Sequence, residues 1–559
     1  MDNTKPRIET HRQSIRVRIQ SILAVIIGAS VCTLVFEIVT LNGSLDTIRR
    51  LAFFQNIHPY KKPVTDLTSR IFTEKDAEQD TLIELLNSME NNALNNFQDD
   101  QEVKSADLYH LSLLHGACVN YTDAIVSWKF GAPGPHQDEE AYRMGTLVNE
   151  DDANLLEKLK QCPDIDLFLP SKLRGYGYCE DAMAYTKYLH TRVLPLWAVT
   201  KKMYDPESQR IVDYFDLCPK TPMLFFQHYW ENIPSSSRWP RQKKMYLMPN
   251  IEMWELESSH YWRVDVVLCK TRICNERVTK WYEQRGNPND AKVIYTKHTS
   301  SDHASYARRV LGNQVKAKNF TDVQFTHTAG GSIWKGTRQV IECWLSRPHF
   351  PSLDLYVRDD LYETMFKDAY NKRIASSQIR LNTDNLNTST FHKAIAQSAY
   401  FLCPSQLEGY GHYLNQARAS GGVIVTTDLD PMKELIESDK MGLKVPARSM
   451  HDYDAFLGGM SSTKLGLRDE PGMMAIFTAD ELCVTVEHLL NDYTVDQRRD
   501  MGKNARLQYH KDTKFFELAM LRLRILARQH ASAYSDNDNG IDIITSAPRR
   551  HIRDGSTVR

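Results

Sequence analysis

Past residue 160 the chain alternates short apolar runs with longer amphipathic stretches. Asp166-Leu167-Phe168-Leu169-Pro170 is the first run; the glycine loop Arg174-Gly175-Tyr176-Gly177 follows it, and Glu180 to Met203 then reads as a helix. Met223–Phe226, Met245–Met248, Val264–Leu268 and Lys292–Tyr295 come next, rich in aliphatic and β-branched residues and bounded by loops, which predicts buried strands. A second series opens after Thr299-Ser300-Ser301-Asp302, with strands predicted at Val323–Thr326, Leu353–Val357, Tyr400–Cys403 and Val423–Thr427. Helices fit between them, among them Thr337–Arg347 and Thr390–Ser398, and from about Asp480 to about His530 the pattern is helical. Strands alternating with helices predict an α/β fold whose parallel sheets are covered on both faces. Two such series predict two doubly wound halves with the site in the cleft between them, because ligands bind outside the carboxyl ends of such strands.

The amino terminus follows another pattern. No charge falls between Ile19 and Phe36, and after Glu37 the apolar run resumes as Ile38-Val39-Thr40-Leu41. At about 1.5 Å per residue this 19–41 segment is long enough to cross a hydrocarbon core of about 30 Å, with Glu37 near one end. Lys5, Arg7, Arg12, Arg16 and Arg18 outnumber Asp2 and Glu9 upstream, which predicts a cytosolic tail over 1–18 and a body carried across the membrane. A long signal peptide or a buried core helix is the alternative; the run is long for the former and no small-residue cleavage site follows. Between Glu74 and Glu102 nine acids face one Lys, so 42–105 reads as a solvated stem. Glycosylation tripeptides at Asn42, Asn120, Asn319 and Asn387 fit a lumenal body. The halves then occupy 106–300 and 301–530, and the tail 531–559, with Arg549, Arg550, Arg553 and Arg559, is expected to be disordered.

Composition removes several function classes. Lys and Arg total 69 against 70 Asp and Glu, a net charge of −1, so no basic excess recommends a nucleic-acid partner. With 42% hydrophobic and 25% charged residues, the chain is neither largely disordered, collagen-like nor a polytopic membrane protein. Its 10 Cys cannot form a dense disulfide framework and show no zinc-ligand spacing. Nine lie beyond the apolar segment, so at least one stays unpaired in an oxidising compartment; Cys162 with Cys179 is a plausible bridge.

The stretch Pro404-Ser405-Gln406-Leu407-Glu408-Gly409-Tyr410-Gly411-His412-Tyr413-Leu414-Asn415-Gln416-Ala417 carries the most chemistry, running on through Gly421-Gly422 into Val423–Asp428. A strand ends at Pro404, a tight loop presents one carboxylate, and a helix opens near Gly411, whose free N–H groups attract phosphate. Gln416, on the first turns of that helix, can face the same pocket as Glu408.

This stretch resembles the carboxyl-half signature of retaining glycosyltransferases of family 4, with their Pro-Ser, Glu-Gly-Phe-Gly and Glu-Ala-x-Ala-x-Gly elements; the resemblance covers roughly residues 300 to 510 and only weakly the amino half. It implies a GT-B fold of two Rossmann-like domains, the amino-terminal one for the acceptor and the carboxyl-terminal one for the nucleotide sugar. It implies that Glu408 contacts the donor sugar near the reacting centre and that Gly409, Tyr410 and Gly411 offer backbone donors to sugar and diphosphate. Gln416 stands where the family has a second Glu for the ribose. A second block, Phe325 to Thr337, resembles the family's strand, loop and Lys-Gly helix start. There Lys335 would neutralise the departing diphosphate. Ala329 and Gly330 replace the usual Arg, so Arg338, or Ser332 with backbone amides around Gly330 and Gly331, would substitute; the bland alternative has Lys335 and Arg338 merely decorating a helix end.

In the amino half Gly175 and Gly177 either cradle phosphate or sugar, or serve the turn; Glu180 and Asp181 read as complements to a helix start. His228, Asn250 and Glu252 lie at predicted strand ends as acceptor or sugar contacts, with Lys270 equally open. The pairs Asp164-x-Asp166 and Asp428-x-Asp430 read as structural rather than as metal ligands, and neither metal nor other cofactor is expected. The resulting expectation is a retaining hexosyl-type transferase, anchored in the Golgi or endoplasmic reticulum, moving sugar from a nucleotide donor to a glycan, lipid or protein acceptor. A non-catalytic glycan- or nucleotide-binding protein on the same fold is the alternative, and a sugar phosphorylase a more distant one.

Overall fold

The computed structural model describes residues 105–532 apart from 133, 135–137, 385–387, 452–454 and 461–463. The expected tail, anchor and stem over 1–104, the tripeptides at Asn42 and Asn387, and the tail from 533 lie outside the described residues. Among those described, no helix is long and apolar enough to cross a membrane.

Helix α1 (Ser105–Asn120) leads into a first sheet of eight strands. Its strands are β1 (Ile125–Ser127), β2 (Leu147–Val148), β3 (Asp166–Phe168), β4 (Arg192–Leu194), β7 (Met223–Phe226), β8 (Met245–Met248), β9 (Val266–Cys269) and β10 (Lys292–Tyr295); β5 (Met203–Asp205) and β6 (Arg210–Val212) form a separate hairpin. The order is β10-β9-β8-β7-β3-β4-β1-β2, parallel as far as β4, with β1 and β2 antiparallel at the edge. Strand order reverses between β3 and β7, so the loops after these two strands flank the switch point. Helix α2 (Tyr176–Tyr188) follows the glycine loop after β3, and α3 (Arg272–Arg285) follows β9.

The second sheet is wholly parallel: β11 (Gln324–Gly330), β12 (Ser352–Val357), β13 (Ile379–Asn382), β14 (Tyr400–Cys403), β15 (Val423–Thr427) and β16 (Gly442–Val445), ordered β13-β12-β11-β14-β15-β16. That is the doubly wound order with its switch point between β11 and β14. Every residue of β14 and β15 is buried, as strands covered on both faces require. Helices α4 (His303–Leu311), α5 (Thr337–Ser346) and α6 (His412–Ser420) precede or connect these strands. The expected α/β architecture of two doubly wound halves is therefore present.

Two crossings join the halves. The first is the connection after β10, where His298, Thr299, Ser300, Ser301 and Asp302 are all fully buried. The second is the long helix α7 (Val495–Ser532). It begins on the second half, where Asp512 pairs with Arg418, fully buried on α6. Its later residues Phe516, Ala519, Met520, Leu523 and Ala527 belong to the core of the first half, and Arg524 and Arg528 clasp Asp164. The stretch from 516 onward thus packs with the half that precedes it in sequence.

Two local expectations are corrected. The helix read over Glu180–Met203 is α2, then strand β4, then a short helix Leu196–Thr200. His190 takes a left-handed conformation (φ 52°) that breaks the helix, and Val193 then pairs with Leu167 in the sheet. Cys162 bonds Cys218 rather than Cys179, which bonds Cys118 from α1. The ends of two short helices bring 162 and 218 together, and sequence spacing does not record that. Cys269–Cys274 and Cys343–Cys483 are also bonded, and Cys403 is free and buried. Non-reducing peptide mapping is expected to join Cys162 to Cys218; a Cys162–Cys179 peptide would contradict the fold. Cys162→Ser should cost about 2–5 kcal/mol, read as a lowered denaturant midpoint.

Candidate active site

The switch point of the second sheet puts the loops after β11 and β14 side by side. Ser332 Oγ accepts the Trp334 N–H, shaping the turn Ile333–Lys335, and Gln406 N–H donates to the Trp334 carbonyl at 2.7 Å. Gly336 sits between the loops at φ 70°, where a Cβ would lie 2.1 Å from the Pro404 carbonyl oxygen, so only glycine lets them meet. The consequence is an ion pair between Lys335 and Glu408, their side chains 16% and 12% exposed. Ser405 Oγ donates to the same Glu408 oxygen at 2.5 Å and also contacts Tyr413 Oη at 2.5 Å. The Lys335 ammonium lies 3.9 Å from the centre of the Tyr413 ring. An ammonium has three donors and Glu408 takes one, which leaves a half-buried cation able to meet developing negative charge.

Helix α6 opens beside this pair at Gly411, whose φ of 96° turns the chain from loop into helix. The Tyr410 ring is buried and its hydroxyl donates to the His298 carbonyl, so only the backbone of 409–411 is placed to meet a ligand. Across the cleft Glu252 lies against Gly409, where a Cβ would come within 2.5 Å of both its carboxylate oxygens. Glu252 Oε2, Asn250 Oδ1 and His228 Nδ1 are buried without a hydrogen-bond partner among the described residues. These are the three residues expected to contact sugar or acceptor, and unpaired buried polar atoms are costly unless a ligand or water completes them. Gln227 fixes the Asn250 loop by accepting its backbone N–H at 2.7 Å. A Cβ on Gly175 or Gly177 would meet nothing within 4 Å, and Gly175 does not have a positive φ, so neither the turn nor crowding demands glycine there. Open space at a helix start is what a closely approaching ligand would use.

Burial pushes the Glu252 carboxyl up to about 7; Lys270 opposes that shift, and Glu408 and Asp181 add like charge. The folded protein therefore keeps a proton that the unfolded chain releases near 4.5, so stability falls as pH rises from 4.5 to about 7. Glu252→Gln is expected to remove its share of that slope in thermal melts between these values. Glu434, pushed up to about 7 where it accepts the Arg272 and Ile273 N–H groups of α3, keeps its own. An unchanged slope in Glu252→Gln contradicts the placement.

Other residues lie elsewhere. Arg338 donates to Tyr370 Oη at 3.3 Å, and Tyr370 donates to Glu342, which commits Arg338 to the far side of α5. Arg358 instead approaches Gly331, its guanidinium carbon 3.0 Å from where a Cβ would be; it is bonded to Asp360. Gly330 takes a positive φ of 56° with open space around it. Gln416 does not present a free amide beside Glu408: its Nε2 lies 2.8 Å from Glu180 and 3.0 Å from His303. Glu180 and Asp181 are buried at the junction of the halves, not exposed complements of a helix end; Lys270 Nζ lies 3.1 Å from both Asp181 oxygens and His412 Nε2 3.0 Å from one. Asp164 and Asp166 are occupied by Arg524, Arg528, Arg192 and Tyr214, and Asp430 by Lys433. Ser405, Tyr413 and Arg358 escape sequence reasoning; position beside Glu408 is the one signal for Ser405. The exposed Trp254 and Trp334, within two residues of Glu252 and Lys335, were equally silent.

No family model matches the chain. One DNA gyrase subunit, from two strains of Mycobacterium tuberculosis, is 42% identical over 52 residues, which is 9% of this chain and 7% of the relative. The chain thus spans under a tenth of the length of these curated relatives. Among solved structures, sucrose-phosphate synthase from Thermosynechococcus elongatus is similar at a TM-score of 0.45 and 12% identity, over 66% of this chain and 99% of that one. A glycosyltransferase from Rickettsia africae gives 0.35 and 10%, over 57% and 77%. The Anabaena protein HepE in complex with UDP gives 0.37 and 14%, over 69% and 97%. At these scores the likeness adds nothing to what strand order establishes.

Proposed function

We propose that the chain is a nucleotide-sugar-dependent glycosyltransferase that transfers a hexose with retention of configuration. The observation that supports it best is the Lys335–Glu408 pair at the switch point of a doubly wound sheet, facing the unpartnered oxygens of Asn250 and Glu252 from the other half. A nucleoside diphosphate fits the start of α6, where N–H groups and the helix dipole favour phosphate. Lys335 then stabilises the charge that grows on the diphosphate as the glycosidic bond breaks. Glu408 orients the donor sugar, and the cleft holds an acceptor hydroxyl on the face the diphosphate leaves, so no side-chain nucleophile is required. His228, Asn250 and Glu252 position sugar or acceptor. In this reading residues 19–41 anchor the protein in a Golgi or endoplasmic reticulum membrane with the body in the lumen, and the acceptor is a glycan, lipid or protein.

Incubation with a sugar nucleotide and a panel of acceptors, followed by proton NMR, tests the reaction. A product with the donor's anomeric configuration is expected; net inversion contradicts the mechanism. A second reading, a non-catalytic binder of the same ligands, draws on Gln416 and Arg338, whose side chains are committed away from the Lys335–Glu408 pair. Donor turnover excludes it.

A further inference from the structure

Four buried side chains from four separated segments converge where the halves meet. They are His115 on α1, Glu180 on α2, His303 at the start of α4 and Gln416 on α6, exposed by 5%, 3%, 4% and 9%. Glu180 divides its two oxygens. Oε2 accepts the Ser301 N–H at 3.0 Å and the Ser301 hydroxyl at 2.8 Å, which fixes the carboxylate plane. Oε1 faces the cluster: Gln416 Nε2 is 2.8 Å away, His303 Nε2 3.1 Å and His115 Nε2 3.9 Å. Asp181, the next residue, has Lys270 to neutralise it, whereas no Lys or Arg pairs with Glu180 among the described residues.

The hydrogen bonds in this cluster cannot all be satisfied. His303 Nε2 lies 3.0 Å from Gln416 Nε2 as well as 3.1 Å from Glu180 Oε1. With a proton on Nε2, His303 opposes the amide donor; without one, its lone pair opposes the carboxylate. Turning the amide by half a turn, which exchanges its nearly indistinguishable oxygen and nitrogen, sets its oxygen against Glu180 instead. Each arrangement leaves one repulsive contact in a buried place. A cation at the centre removes all of them, since two imidazole nitrogens, a carboxylate oxygen and the turned amide oxygen then all point lone pairs inward. In a tetrahedral zinc site with ligands at about 2.0–2.1 Å the ligand atoms lie about 3.3 Å apart, inside the range seen here. His392 stacks on His303 with ring centres 4.0 Å apart and holds its plane.

We propose that His115, Glu180, His303 and Gln416 form a structural zinc site that clamps the two halves together. Nitrogen and oxygen donors in a four-sided set favour zinc among the common divalent ions, and four protein ligands leave no open position for chemistry. The site is separate from the proposed transfer reaction and stands whether or not that reading does.

The test is the metal content of the full chain, purified without chelator, with ZnCl2 as the only probe. About one zinc per chain is expected by mass spectrometry of the metal, with a lower melting temperature after chelation that ZnCl2 restores. Glu180→Gln and His303→Gln should each lose the metal. Gln416→Glu supplies a charged ligand in place of a neutral one and should hold zinc against at least tenfold more chelator, which keeps the test decisive if the other variants fold poorly. Less than a tenth of an equivalent of zinc with no melting shift on adding ZnCl2 overturns the proposal. So does zinc that is retained by Glu180→Gln and His303→Gln and unaffected by Gln416→Glu.

Discussion

Lys335→Ala is expected to lower kcat for sugar transfer by about 10²–10³, the range found when one preorganised charge-stabilising donor is removed. KM for the donor should change far less, because the lost interaction grows as the diphosphate leaves. The neighbourhood sharpens the expectation. Lys335 is held by Glu408 and the Tyr413 ring rather than left in solvent, so no other described cation is already at that place. Lys335→Arg keeps the charge but spreads it over a planar fork that the Glu408–Tyr413 box does not fit, so it should restore only part of the rate. A variant with unchanged kcat would return Lys335 to an ornament of a helix end.

Gly336→Ala is expected to be the most damaging single methyl group near the site. A positive φ costs a non-glycine residue about 1–3 kcal/mol, and this Cβ would also press on the Pro404 carbonyl at 2.1 Å. Because backbone rather than a movable side chain is struck, the two loops must separate, and with them Lys335 and Glu408. Activity should fall with stability, the melting temperature by several degrees at roughly 2–4 °C per kcal/mol. Gly330→Ala is the internal control: it has a positive φ of 56° but nothing within 4 Å of its Cβ, so it pays the backbone strain alone. Equal melting temperatures for the two variants would contradict the clamp.

Much of this was legible in the chain. Met223–Phe226, Met245–Met248, Lys292–Tyr295, Tyr400–Cys403 and Val423–Thr427 fall on the observed strands because local composition and flanking loops set them apart. Strand β4 was hidden because three residues between two helices carry no period of their own, and the left-handed turn at His190 leaves no glycine to announce it. At the site, Glu408 and Lys335 could be named from their motifs, and they meet. Arg338 could not be excluded in advance, since its direction depends on Tyr370 from a helix 32 residues away. Glu180 is the sharpest case. Near a helix start it reads as a dipole complement, yet its partners are His115, His303 and Gln416, the last 236 residues distant. Nothing local announces a convergence of that kind; only the packing of one half on the other creates it.

The most direct test of the central claim is donor binding in the cleft. Melting curves of the full chain would be recorded with UDP-, GDP- and ADP-sugars, without added manganese or magnesium, for the wild type and Lys335→Ala. A ligand at 100 times its dissociation constant stabilises the state it binds by about 2.7 kcal/mol, enough to move the curve. One sugar nucleotide stabilising the wild type, with the shift reduced or lost in Lys335→Ala, is the predicted result. A folded wild type that none of these donors stabilises, or a shift that Lys335→Ala keeps in full, would contradict it.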